Sequence, residues 1–208
     1  MKYITIPVTA YTQNCSIAWC EETLDCCIID PGGDIEKLIT IIEKHQLHPV
    51  AIFLTHGHLD HVGGTTKLAQ HYTIPISGPH KEDQFWLDLL PKQAEMFNFP
   101  HCDVFHPNQW LVAGDILHFG NECFSVRFTP GHTPGHIVLY HERDKVVFVG
   151  DVIFAGAVGR TDFPRGDHQQ LIDSIQTQLL SLDDDVTIVS GHGAETSIGY
   201  ERHNNPFL

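Results

Sequence analysis

Residues 56–61 read His56-Gly57-His58-Leu59-Asp60-His61, three imidazoles and a carboxylate within six positions. Imidazole nitrogens and carboxylate oxygens are borderline donors that hold zinc, iron or manganese. A solvated polar loop explains the cluster poorly, because crowded histidines repel one another on protonation unless a cation keeps them neutral. The same syntax, an apolar run ending at a glycine-flanked His or Asp, recurs three times. Residues 124–129 lead into Gly131-His132, residues 146–150 end at Asp151, and residues 186–190 lead into Gly191-His192. His56, His58, His61, His132, His192, Asp60 and Asp151 are seven donors, too many for one four- or five-coordinate ion. The set therefore predicts two divalent metal ions sharing a carboxylate and a hydroxide. Zinc fits best, with iron or manganese also compatible with the donors.

Such a site needs rigid elements to display it, since functional groups gather on loops at the ends of strands. Runs rich in Val, Ile and Phe predict strands at 3–8, 15–20, 24–29, 50–55, 123–129, 137–141, 145–149 and 186–190. Ile35, Leu38, Ile39 and Ile42 recur at helical spacing behind Asp34, an expected N-cap, and Leu171, Ile172, Ile175, Leu179 and Leu180 repeat the pattern. Two strand-rich halves with helices between them predict two sheets packed face to face with helices outside, an αββα sandwich. Gly63 and Gly64, just after His61, are expected to let the following helix approach the site.

The whole chain bounds the chemistry further. Its 208 residues suit a single domain spanning 1–208. A formal charge of -14 disfavours nucleic acid as a partner, and no apolar run is long enough to span a bilayer. Residues 1–14 show no signal-peptide pattern, so the expected location is cytoplasmic. The six cysteines form no zinc-type pairs and read as reduced thiols, with the vicinal Cys26 and Cys27 on opposite faces of a strand. Sixteen histidines, more than the 12 lysines and arginines together, remain the unusual feature of the composition.

His56, His58, Asp60 and His61 resemble the HxHxDH signature of the metallo-β-lactamase superfamily. The resemblance implies an αββα fold, one metal position from His56, His58 and His132, and a second from Asp60, His61 and His192, with Asp151 bridging. Asp60 and Asp151 are then the expected catalytic carboxylates. Zinc-dependent β-lactamases usually carry cysteine where Asp151 stands, and the aspartate is similar to the glyoxalase II branch. Pro31-Gly32, the segment His132-Thr133-Pro134-Gly135-His136, Gly159-Arg160-Thr161-Asp162 and the stretch from Gly199 to Phe207 resemble short bacterial hydroxyacylglutathione hydrolases. The implied partner is a small-molecule thioester, a glutathione conjugate. Longer members hold glutathione with basic residues of a C-terminal helical segment. That segment has no counterpart here, so Arg160 and Arg165 are the expected anchors for a substrate carboxylate. Asp30 is expected to orient a ligand histidine or its loop, and His136 reads either as a donor behind the ligands or as a plain strand residue. The alternative is a mononuclear iron persulfide dioxygenase using His56, His132 and Asp151 as a facial triad.

Overall fold

The computed structural model describes residues 1–208. The first sheet contains β1 (Lys2–Val8), β2 (Gln13–Trp19), β3 (Asp25–Ile29), β4 (His48–Phe53) and β5 (Ile76–Ser77), paired in that order. β1, β2 and β3 run antiparallel, and β3, β4 and β5 parallel. The second sheet takes β6 (Ile116–Phe119), β7 (Glu122–Phe128), β8 (Ile137–His141), β9 (Val146–Gly150), β12 (Thr187–Ser190) and β13 (Thr196–Ser197), in the order β13-β12-β9-β8-β7-β6. A small hairpin, β10 (Ile153–Phe154) with β11 (Ala157–Val158), follows β9.

Three apolar clusters make the layers. Ile29, Phe53, Phe124, Ile137, Leu139 and Phe148 fill the space between the sheets. Ile17, Ile28, Ile52, Leu54, Leu38, Ile42 and Leu68 join the outer face of the first sheet to α1 (Ile35–Lys44) and α3 (Thr65–Tyr72). Val147, Val149 and Ile188 join the second sheet to α6 (His168–Ser174), through Leu171, and to a π-helical turn at Ile175–Leu179. The architecture is the αββα sandwich of two mixed sheets. Cys26 packs in the helix-side cluster and Cys27 between the sheets, as the two-residue period of a strand requires. No helix is long and apolar enough to cross a membrane.

Several local expectations need correction. Asp34 occupies the N-cap position of α1 and its carbonyl accepts the Lys37 N–H, but its side chain makes no capping bond: at φ 49° its carboxylate accepts the N–H of Thr9 instead, at 2.8 Å. β5, β10, β11 and β13 have two residues each, too few to show an alternating pattern in the sequence. The expected helix after residue 167 is α-helical only to Ser174 before widening into the π turn. At Gly64 a side-chain carbon would run into Ile35 and the Pro31 carbonyl, so the glycine does permit a close approach, between α3 and the turn ahead of α1.

Candidate metal centre

β3, β4, β7, β9 and β12 run in a common direction within their sheets, so their C-terminal ends meet at one edge of the sandwich. β4 ends in the loop bearing His56 and His58, and α2 (Leu59–Val62) carries Asp60 and His61. His132 follows β7, Asp151 follows β9 and His192 follows β12. The fold brings all seven donors together. His56, His58 and His132 form one potential metal-binding group, and Asp60, His61 and His192 a second.

In the first group, His56 Nε2 lies 3.1 Å and His132 Nε2 3.0 Å from His58 Nδ1. In the second, His192 Nε2 is 3.3 Å from Asp60 Oδ2. Asp151 stands between them: Oδ1 is 3.3 Å from His61 Nε2, and Oδ2 is 3.7 Å from both His132 Nε2 and His192 Nε2. Gly191 leaves room for this approach, because a side-chain carbon there would collide with Asp151 Oδ1 and His61 Cε1.

The outer ring nitrogens are tied down, which determines what the inner ones can do. Thr55 Oγ1 donates to Asp30 Oδ2 at 2.6 Å, so it accepts from His56 Nδ1 at 3.0 Å. His61 Nδ1 donates to the same Asp30 Oδ2 at 2.9 Å, and the Thr55 N–H donates to Asp30 Oδ1 at 2.8 Å. Asp30 does this from a left-handed backbone, φ 51°, that aims its carboxylate back beneath the site. His132 Nδ1 donates to the Arg160 carbonyl at 2.7 Å. Each bond places the proton on the outer nitrogen and turns the inner lone pair toward the centre. His136 accepts the Asp151 N–H at 3.1 Å and stacks on His56.

Burial pushes the imidazoles of His56, His58 and His136 far below their ordinary pKa, and that of His132 below it. Burial opposes charge on Asp151, but His61, His132 and His192 hold its carboxyl well below the usual range. Asp60 is lowered mainly by His61, also against burial. His61 itself is raised well above its ordinary value, because Asp151, Asp60 and Asp30 outweigh its desolvation. A cation at the centre would offset the same two carboxylates.

The donor set fits metal ions on the structure's own terms. His61 Nε2 and Asp151 Oδ1 are buried, face each other and have no hydrogen-bond partner. Buried polar atoms left unpaired are costly, and convergent lone pairs repel unless something positive lies between them.

The two expected substrate arginines lie at the rim. Arg160 pairs with Asp162 through Nε and Nη2, both at 2.7 Å, with its guanidinium 4.3 Å above the Phe163 ring. Arg165 pairs with Glu82 and covers Phe85. Phe163 and Trp86 stand edge-on to His58, with ring centroids 4.8 and 4.6 Å away. Sequence reasoning missed the Arg160 carbonyl, the Thr55 relay and the placement of Trp86. The Thr55 position, directly before His56 and after an apolar strand, was the one available signal.

The metallo-beta-lactamase superfamily model matches residues 8–192. Hydroxyacylglutathione hydrolase GloC of Haemophilus influenzae is 50% identical, covering 100% of this chain and 98% of its own. The probable metallo-hydrolase YqgX of Bacillus subtilis is 35% identical, covering 100% of this chain and 98% of its own. Among solved structures, the BLEG-1 B3 metallo-beta-lactamase superposes with TM-score 0.92 at 36% identity, covering 100% of this chain and 99% of that one. TTHA1623, solved in a di-iron-bound form, superposes with TM-score 0.90 at 33% identity, covering 99% and 100%.

Proposed function

This chain belongs to the metallo-beta-lactamase superfamily, and from that premise we propose that it is a metal-dependent hydrolase of glutathione thioesters, such as S-D-lactoylglutathione. The observation that carries the reading is the position of Asp151, whose carboxylate stands between the two donor groups, with Oδ2 equidistant from His132 of one and His192 of the other. His56, His58 and His132 would hold one divalent ion, Asp60, His61 and His192 another, and Asp151 would span both. When bound, such a pair supplies hydroxide near neutral pH and draws electron density from a carbonyl. The relative solved with two irons and the 50% identical hydroxyacylglutathione hydrolase both support this assignment. Zinc, iron and manganese all suit the imidazole and carboxylate donors.

The protein's own groups complete the chemistry by holding geometry. Asp30, directly and through Thr55, fixes His61 and His56, and the Arg160 carbonyl fixes His132. The imidazoles and carboxylates at the centre are already assigned as metal donors or as their supports, which leaves none as a dedicated acid for a leaving amine. A thioester removes that need, because a thiol with a pKa of about 8.5 departs as the thiolate without a placed acid. Trp86 and Phe163 offer an apolar wall beside His58. Arg160, extending over Phe163, is the proposed anchor for a glutathione carboxylate, in exchange with Asp162. On this proposal residues 1–208 form one catalytic domain, and the six unpaired thiols suit a reducing, cytoplasmic setting.

The test is a substrate panel on the purified protein: S-D-lactoylglutathione hydrolysis, oxygen uptake on glutathione persulfide, and opening of a β-lactam. Thioester hydrolysis should dominate. Oxygen uptake without thioester hydrolysis would move the protein to the dioxygenase reading.

A further inference from the structure

A carboxylate outside the donor set ties the two histidine loops of one group together. Asp83 closes a 3-10 turn at Lys81–Asp83, just ahead of α4 (Gln84–Asp88). It is fully buried, and although it occupies the N-cap position of α4 its side chain makes no capping bond. Its oxygens are committed elsewhere. Oδ2 accepts the Gly57 N–H at 2.8 Å and the Thr133 hydroxyl at 2.7 Å, and Oδ1 accepts the Gly135 N–H at 2.6 Å.

Gly57 lies between His56 and His58 on the loop after the first sheet's β4, while Thr133 and Gly135 follow His132 on the loop after the second sheet's β7. The two loops belong to different sheets, and Asp83 is bonded to both. The glycines fit the approach: a side-chain carbon on Gly57 would lie 2.8 Å from Trp86 Cβ, and one on Gly135 2.7 Å from Asp83 Oδ1. The second donor group is braced differently. Asp30 holds His61, while Asn14 bonds the Ser190 and Gly193 carbonyls on either side of the His192 turn at 2.9 Å each.

We propose that Asp83 is a positioning residue for the three-histidine position alone, setting the distance between the His56–His58 loop and His132. This rests on the two-ion reading above and gives the three-histidine position a brace of its own, beside the Asp30 network that reaches both His56 and His61. Asp83→Asn keeps the shape but turns an NH2 group toward backbone or hydroxyl donors, so at least one of the three bonds is lost and a donor faces a donor.

The experiment loads the full chain with zinc and titrates it with a chelator, counting ions retained per chain. One ion of the Asp83→Asn protein should become about 10- to 100-fold easier to remove, the range for residues that support ligands, while the other keeps its parental resistance. Thr133→Val deletes one of the three bonds and should shift the same ion by less. It serves as the second variant if Asp83→Asn folds poorly. With cobalt(II) in place of zinc, the visible absorption of the weakened ion should change in both variants. Equal weakening of both ions in Thr133→Val would show general destabilisation and overturn the proposal, as would unchanged retention in both variants. Because ion retention is the readout, a parental protein without thioester turnover would remove the hydrolase reading and leave the test of Asp83 standing.

Discussion

On the proposed two-ion reading, Asp151 differs from the other donors in reaching residues of both groups. On that reading, losing one histidine would weaken one position, whereas losing Asp151 would withdraw a carboxylate from both and leave His61 facing none on that side. Asp151→Ala should therefore lower ion content and reduce thioester hydrolysis more than about 100-fold, beyond the range for residues that merely support ligands. Elemental analysis and steady-state rates check both, and a near-parental rate would contradict the bridging role. Arg160 is a milder case, since its guanidinium already has a partner in Asp162. Arg160→Ala should raise KM for the glutathione thioester with little change in kcat, because the group acts on binding away from the reacting carbonyl. The backbone carbonyl that fixes His132 remains in that variant, so an effect confined to kcat would assign Arg160 to the site geometry instead.

The strands do the positioning, and their packing is what a core substitution disturbs. Phe124 is fully buried between the sheets, edge-on to Phe53 and Phe148 and stacked on Phe119. Phe124→Ala should cost about 3–5 kcal/mol in denaturant unfolding, the range for a large core aromatic, and loosen β7, which leads into His132. The donor loops were legible in the sequence because each couples an apolar run to a glycine-flanked His or Asp, and burying that run, on both faces in β9 and on one in β7, leaves the loop at the sheet edge. Residues 73–115 were not legible in the same way. There β5 is two residues long, α4 and α5 (Leu90–Met96) are short, and no period develops before the chain turns. Asp83 could not have been found from its neighbours, since Lys81-Glu82-Asp83 reads as a solvated charged turn. Only the fold shows its carboxylate buried between two loops. Asp34 failed as a side-chain cap for a related reason: its left-handed backbone takes the carboxylate away from the helix and toward Thr9.

At the scale of the molecule, charge couples stability to pH away from the metal centre. Glu122, at the start of β7, is buried and bonds Arg143 and His141, with the Met1 ammonium 3.2 Å away. Burial works against its charge, yet these partners prevail and hold its carboxyl pKa below the ordinary 4.5. A carboxyl depressed in the folded state adds stability that is present above the unfolded-state pKa and fades as pH falls through the folded one. Glu122→Gln should thus be less stable than the parent near neutrality, and the gap should narrow below pH about 4.5. Unfolding free energies from pH 7 down to about 3 would show it, and a gap that stays constant would remove Glu122 from the acid limb.

The central claim, two cations spanned by Asp151 and used to hydrolyse a thioester, is tested most directly by counting metal per chain and measuring S-D-lactoylglutathione hydrolysis on one sample. Two ions per chain, with turnover that falls as ions are withdrawn, is the predicted result. A single iron per chain with no thioester turnover, together with oxygen uptake on glutathione persulfide, would contradict it.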